Sequence, residues 1–210
     1  MPIESNGTLI QERALIVKLR NIRARLLDPA AGALTASVAV LLREAVGGME
    51  LLFLVRARRD GDPWSGHIGF PGGKIDATDE DPRQTAIRET REETGLDLTG
   101  ADYVCRLDDQ ATHLSKVHVA AFVFCLSHGF ELSLNREVQD AFWFPLAGLM
   151  DQNRCVTTTV VGEWGEREVC AIDLLDGEGP VLWGLTYRFA AQVLACVGHQ
   201  LPGGSEVQLN

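Results

Sequence analysis

The sequence predicts an α/β protein in which a mixed β-sheet is flanked by helices. Two observations carry this. Short apolar runs rich in valine, leucine and phenylalanine recur along the chain, bounded by turn residues, as β-strands do. Among them stands one segment, residues 82–94, whose helical ends are both specified, and a second apolar-periodic segment closes the chain near residues 185–197. The 210 residues suit one domain with a sizeable core. We place it at 34–200, after a helical extension over 1–33 and before a flexible tail over 201–210.

From Leu9 to Leu27 apolar residues repeat at helical spacing, which predicts an amphipathic helix outside the core fold. Its stripe of Leu15, Ile16, Leu19, Ile22 and Leu26 needs cover, from the protein's own sheet or from a partner subunit in a homodimer. Ser37–Leu42 and Leu51–Ala57 are strand-like, with Ala45-Val-Gly-Gly48 between them as a hairpin signal. Gly69-Phe-Pro-Gly-Gly-Lys74 follows as a tight loop whose glycines let backbone approach a bound group. In the next helix Asp81 is the N-cap, Pro82 takes the first position, Gln84 completes a capping box, and Gly95 supplies the left-handed stop. Further strands are expected at Tyr103–Leu107, Val117–Leu126, Cys155–Val161 and Val169–Leu174, and a closing helix from Leu185 to Val197.

The chemistry is concentrated in Arg88-Glu-Thr-Arg-Glu-Glu-Thr-Gly95-Leu96. Glu89, Glu92 and Glu93 fall within an arc of roughly 100° on one helix face, with Ile87, Thr90 and Thr94 opposite. Three carboxylates so close repel one another unless a cation joins them, and hard oxygen ligands suit Mg²⁺ or Mn²⁺. A solvated acidic face is the plainer alternative. The net charge of −10 argues against a nucleic-acid groove and favours a small-molecule partner. Positive charge is local, at Arg56, Arg58 and Arg59. Five widely spaced cysteines read as buried thiols of a reducing compartment. No basic and apolar leader opens the sequence and no apolar run approaches a membrane span, so a cytoplasmic protein is expected.

These residues resemble the box of the Nudix hydrolase family: a loop glycine, an acid, then Arg-Glu-x-x-Glu-Glu-x-Gly and an aliphatic residue. Arg88, Glu89, Glu92, Glu93, Gly95 and Leu96 match. Thr90 stands where the family has an aliphatic residue, and the first acid is open, because counting from Gly73 selects Asp79 and counting back from Arg88 selects Glu80. The resemblance implies an α/β/α sandwich and metal-dependent hydrolysis of a nucleoside diphosphate linked to another group. Metal held by Glu89, Glu92, Glu93 and the carbonyl of Gly73 would screen the diphosphate and acidify a water. Arg88 would orient the carboxylates. Family members take the water's proton on a box glutamate or on an acid from a later loop, which leaves Glu89, Glu92 and Glu137 as candidates for the base.

Phe70-Pro-Gly-Gly73, with its longer spacing to Arg88, resembles the coenzyme A pyrophosphatase branch of that family. The branch's upstream signature is met at Leu52, Arg56, Gly66 and the Phe70 run, and Trp183-Gly-Leu-Thr186 is similar to it as well. The signature departs at Phe53, Leu54, Ala57 and above all Asp62, which replaces an arginine. Substrate contacts are therefore expected from Arg56, Arg58, Phe70, Gly72 and Gly73, with Trp64 and His67 as stacking candidates or simple packing. His113 and His118 read as surface or core histidines. A nucleoside diphosphate sugar, ADP-ribose or a dinucleoside polyphosphate would use the same box, and a non-catalytic Nudix-fold binding module is the alternative of another class.

Overall fold

The computed structural model describes residues 12–28, 32–61, 64–111, 117–127, 131–162 and 165–203. Its elements are α1 (Glu12–Arg20), β1 (Ala36–Ala45), β2 (Gly48–Arg56), β3 (Ile68–Gly69), β4 (Gly72–Lys74), α2 (Pro82–Thr94), β5 (Asp102–Arg106), β6 (Gln110–Ala111), β7 (His118–Leu126), β8 (Val138–Pro145), β9 (Cys155–Gly162), β10 (Gly165–Ile172) and α3 (Gly184–Ala195). The sheet is mixed: β1 runs parallel to β7, and the other pairs are antiparallel. β9 and β10 form a separate two-stranded ribbon. The alternation of β1 and β2 divides the interior in two. Val40, Leu42, Leu51 and Phe53 face α1 and α3, while Ala39, Leu41, Leu52 and Leu54 face Ala86 of α2. The result is an α/β/α sandwich.

One departure from regular pairing positions everything that follows. β1 and β2 are joined as a hairpin, with Ala45 opposite Gly48 and Leu42 opposite Leu51, and then they part. The 68–74 segment fills the gap: β3 pairs with the far end of β2, β4 pairs with the start of β1, and the Ala39 N–H donates to the Pro71 carbonyl at 2.8 Å between them. The glycine loop is thereby a wedge inside the sheet.

Several expectations change. The N-terminal helix ends at Arg20 and not at Leu27; residues 9–11 lie outside the described part. Beyond Arg20 the backbone is taken by other partners, because Arg25 and Leu27 N–H groups donate to the carboxylates of Asp108 and Asp109. Leu15, Ile16 and Leu19 are buried in the chain's own core, so the stripe is covered by the sheet side, while Leu26 is exposed. β8 lies outside the strands that the sequence pattern predicts, since Gln139-Asp140 and Pro145 interrupt its apolar character. The expected flexible tail is docked at its start: Leu201 is buried, and the Tyr187 hydroxyl donates to the Pro202 carbonyl at 2.8 Å. Residues 204–210 lie outside the described part. Of the cysteines, Cys105 and Cys125 are buried, Cys170 and Cys196 are partly so, and Cys155 is exposed, as a ribbon strand allows. None of the five is in a disulfide.

Candidate active site

α2 carries the acids, and its ends are those the sequence specifies. Asp81 accepts from the Gln84 N–H at 2.9 Å, Pro82 opens the helix, and Gly95 closes it at φ 74°. Its inner face is unusual in using threonines. Thr90 and Thr94 are fully buried, and each hydroxyl donates to the carbonyl one turn back, on Ala86 and Thr90, at 2.7 and 2.6 Å. The missing aliphatic residue therefore leaves no unsatisfied hydroxyl.

Arg88 is the centre of the acid face. Its guanidinium grips Asp79 with two hydrogen bonds of 3.0 Å, donates to Glu89 at 2.9 Å and to Glu92 at 3.4 Å, and reaches the Lys74 carbonyl at 3.3 Å. The fork geometry of arginine makes such sharing possible. Asp79, with only 6% of its side chain exposed, also accepts from the Thr85 hydroxyl and the Asp76 N–H, whereas Glu80 is exposed. Of the two acids open for the first position, Asp79 is the one that Arg88 holds. Hydrogen bonding from Arg88 holds its carboxyl well below the usual carboxylate range, and the same contact raises Arg88.

The three glutamates differ. Glu92 is 56% exposed and faces outward. Burial raises the Glu89 carboxyl; Arg88 opposes this, while Glu92 and Glu137 add to it. Glu93 is not on a solvent-facing surface, as the helix pattern alone implies, but 4% exposed, because the glycine wedge lies over it and the Gly72 N–H donates to its carboxylate at 2.9 Å. Burial pushes Glu93 up to about 7 against the opposing effects of the Gly72 N–H and Arg56, with Glu89 and Glu137 adding repulsion. Arg56 and Glu137 thus act on the helix acids electrostatically.

The wedge glycines have separate duties. A side chain at Gly72, whose φ is 154°, would meet the Ser37 carbonyl at 2.3 Å, so backbone forbids it. At Gly73 a Cβ would sit 2.4 Å from the Glu89 carboxyl carbon, so its absence keeps room for that carboxylate. Phe70, expected at substrate, turns inward instead; it is buried with its ring stacked 5.2 Å from Phe53, because it plugs the gap between β1 and β2. Glu137 is brought over by the segment preceding β8, where the Ser133 and Asn135 N–H groups donate to the Thr94 and Glu93 carbonyls. There it accepts from Arg59 at 3.0 Å. β2 ends at Arg56, so its alternation does not extend to Arg58 and Arg59, which are both exposed. His67 pairs with Arg56 through backbone and lies edge-on to Trp183, 5.1 Å away, while Trp64 is partly exposed. His118 is buried, and Asp62 and His113 lie outside the described residues.

Among the described residues no three acids already converge as a metal cage. Glu89 is engaged by Arg88, Glu93 by Gly72, and Glu92 points outward. The donor set nonetheless fits a hard divalent cation: oxygen ligands only, mutually repelling carboxylates with raised affinity for positive charge, and a side-chain-free space at Gly73 against Glu89.

Comparison with known proteins adds relatives to this geometry. The NUDIX domain family matches residues 33–157. The chain is 35% identical over 202 residues to the mitochondrial coenzyme A diphosphatase of Homo sapiens, covering 92% of this chain and 80% of that protein. It is 36% identical over 112 residues to the peroxisomal coenzyme A diphosphatase of Mus musculus, covering 52% and 46% of the two chains. An uncharacterized protein of Schizosaccharomyces pombe is 40% identical over 108 residues, covering 48% of this chain but 33% of its own length.

Proposed function

Within the Nudix family, to which this chain belongs, we propose that it is a divalent-cation-dependent hydrolase of the diphosphate linkage in nucleoside diphosphate derivatives. Coenzyme A or a related coenzyme A species is the substrate we favour. The observation that supports hydrolysis best is the Arg88 network, which gathers Asp79, Glu89 and Glu92 at one guanidinium beside the Gly72–Gly73 wedge. The coenzyme A choice is supported by similarity to the human diphosphatase along 92% of this chain.

Glu89, Glu92, Glu93 and the Gly73 carbonyl are the groups that would hold Mg²⁺ or Mn²⁺. When bound, the cation supplies charge neutralisation to the diphosphate and lowers the pKa of the attacking water. Arg88 fixes the Glu89 carboxylate and, by a longer contact, restrains that of Glu92. The Gly72 N–H supports Glu93, and Gly72 and Gly73 remain candidate backbone contacts for substrate. Glu137 is the candidate base, held by Arg59 beside Glu89 and Glu93. Arg56, which acts on Glu93 electrostatically, is the candidate phosphate contact, with Arg58 beyond the end of β2.

Asp62, at an arginine position of the coenzyme A signature, keeps ADP-ribose, nucleotide sugars and dinucleoside polyphosphates as rival substrates. Purified protein given each of these and coenzyme A, with Mg²⁺, Mn²⁺ or chelator, decides among them by product identification. The expected result is cation-dependent release of adenosine 3′,5′-bisphosphate and 4′-phosphopantetheine from coenzyme A. Intact coenzyme A beside a hydrolysed rival would move the assignment to that rival, and no turnover of any substrate would leave a binding module. No helix among the described residues is long and apolar enough to cross a membrane. The cysteines support a reducing compartment, cytoplasmic on the sequence reading, while the human and mouse relatives are named for the mitochondrion and the peroxisome.

A further inference from the structure

We propose that Ser37 is a positioning residue for Glu89, its hydroxyl donating to that carboxylate when Glu89 engages a divalent cation. The inference rests on the metal-dependent reading above. Ser37 is fully buried, and its Oγ is one of the few buried polar side-chain atoms among the described residues with no hydrogen-bond partner. A buried hydroxyl without a partner is costly to keep, and in native proteins such groups mark a missing partner or a function. The strand register says where this one points. Ser37 stands directly opposite Gly73 in the antiparallel β1–β4 pair, and opposed residues present their side chains on the same face, about 5 Å apart. The face of Gly73 is the one that a Cβ would extend into the Glu89 carboxylate, at 2.4 Å from Cδ and 2.7 Å from Oε2.

Ser37 and Glu89 therefore share one buried face. Arg88 holds Oε1 of Glu89 at 2.9 Å and restrains it toward Asp79. A second restraint on a carboxylate drawn to a cation can come from a donor on this face that has no partner of its own, the Ser37 hydroxyl. Alternation supports the assignment: the next residues on the same face of β1, Ala39 and Leu41, are apolar and packed beneath α2, so the hydroxyl stands at the one end of that row where the acids lie.

Mn²⁺ affinity of the full-length protein, measured by electron paramagnetic resonance of the free ion, tests this without turnover. Wild type, Ser37→Ala, Glu89→Gln and the double variant are compared, with melting temperatures in chelator as a check on folding. Ser37→Ala is expected to weaken Mn²⁺ binding by roughly tenfold or more, as losing an outer hydrogen bond to a ligand does, to leave the metal-free melting temperature unchanged or higher, and to add nothing in the Glu89→Gln background. Equal affinity of wild type and Ser37→Ala, or additive losses in the double variant, would overturn the role of Ser37 and spare the metal reading. Absence of Mn²⁺ binding by wild type would overturn both. Should Ser37→Ala melt early, Ser37→Cys, which keeps the volume and weakens the donor, must show the same loss of affinity for the inference to stand.

Discussion

Glu92 and Glu93 lie side by side in sequence and do opposite things to the fold. Glu92 is exposed, so Glu92→Gln should leave stability within about 0.5 kcal/mol of wild type while lowering kcat by roughly a hundredfold or more, since a lost charge at a metal costs several kcal/mol of transition-state stabilisation. Normal kcat at saturating Mg²⁺ would remove Glu92 from the site. For Glu93, burial raises the folded carboxyl to about 7 from an ordinary 4.5. The folded state thus holds this proton more tightly than the unfolded state does. Its contribution to stability is complete below pH 4.5 and is lost as pH climbs through 7. Glu93→Gln keeps an acceptor for the Gly72 N–H and does not titrate. In chelator it should be more stable than wild type at pH 8, on the order of 2 kcal/mol, and equal to it near pH 4.5, while turning over poorly with metal. Melting curves that coincide from pH 5 to 8 would show that Glu93 carries no such burden.

At the scale of elements, the wedge predicts different fates for neighbouring glycines. Gly72→Ala should destabilise the protein by about 2 kcal/mol or more, because the new methyl meets the backbone of Ser37 at a φ that side chains avoid. The nearest atoms that Gly73→Ala meets are those of the Glu89 carboxylate, the end of a flexible side chain, so its melting temperature should stay near that of wild type while Mn²⁺ affinity falls. Parallel melting and binding curves for the pair check this, and equal destabilisation would mean that the loop tolerates neither. α2 was legible from sequence to the residue, because caps, proline and glycine act within one turn of chain. The identity of the first acid was not, since Asp79 and Glu80 differ only in which one the 76–79 turn aims at Arg88. Nor was the inward turn of Phe70 or the burial of Glu93, both of which depend on the parting of β1 and β2, a contact between segments distant in sequence.

For the whole molecule, the sandwich expected from strand and helix patterns is the one observed, and α1 belongs to its core side. Leu15 and Leu19 are fully buried there. Removing residues 1–27 should then cost several kcal/mol, since each buried leucine contributes about 2 kcal/mol, and should lower the melting temperature by ten degrees or so. A truncated protein that melts with wild type and has the same mass by light scattering would contradict this. The pairing of the wedge has a different reach. Residues 68–74 are stitched into both strands they separate, and Pro71 is tied to Ala39 between them. A loop anchored so is expected to open with the sheet and not apart from it. The 68–74 loop is consequently expected to exchange its paired amide protons on the timescale of the sheet's own opening, unlike a surface turn.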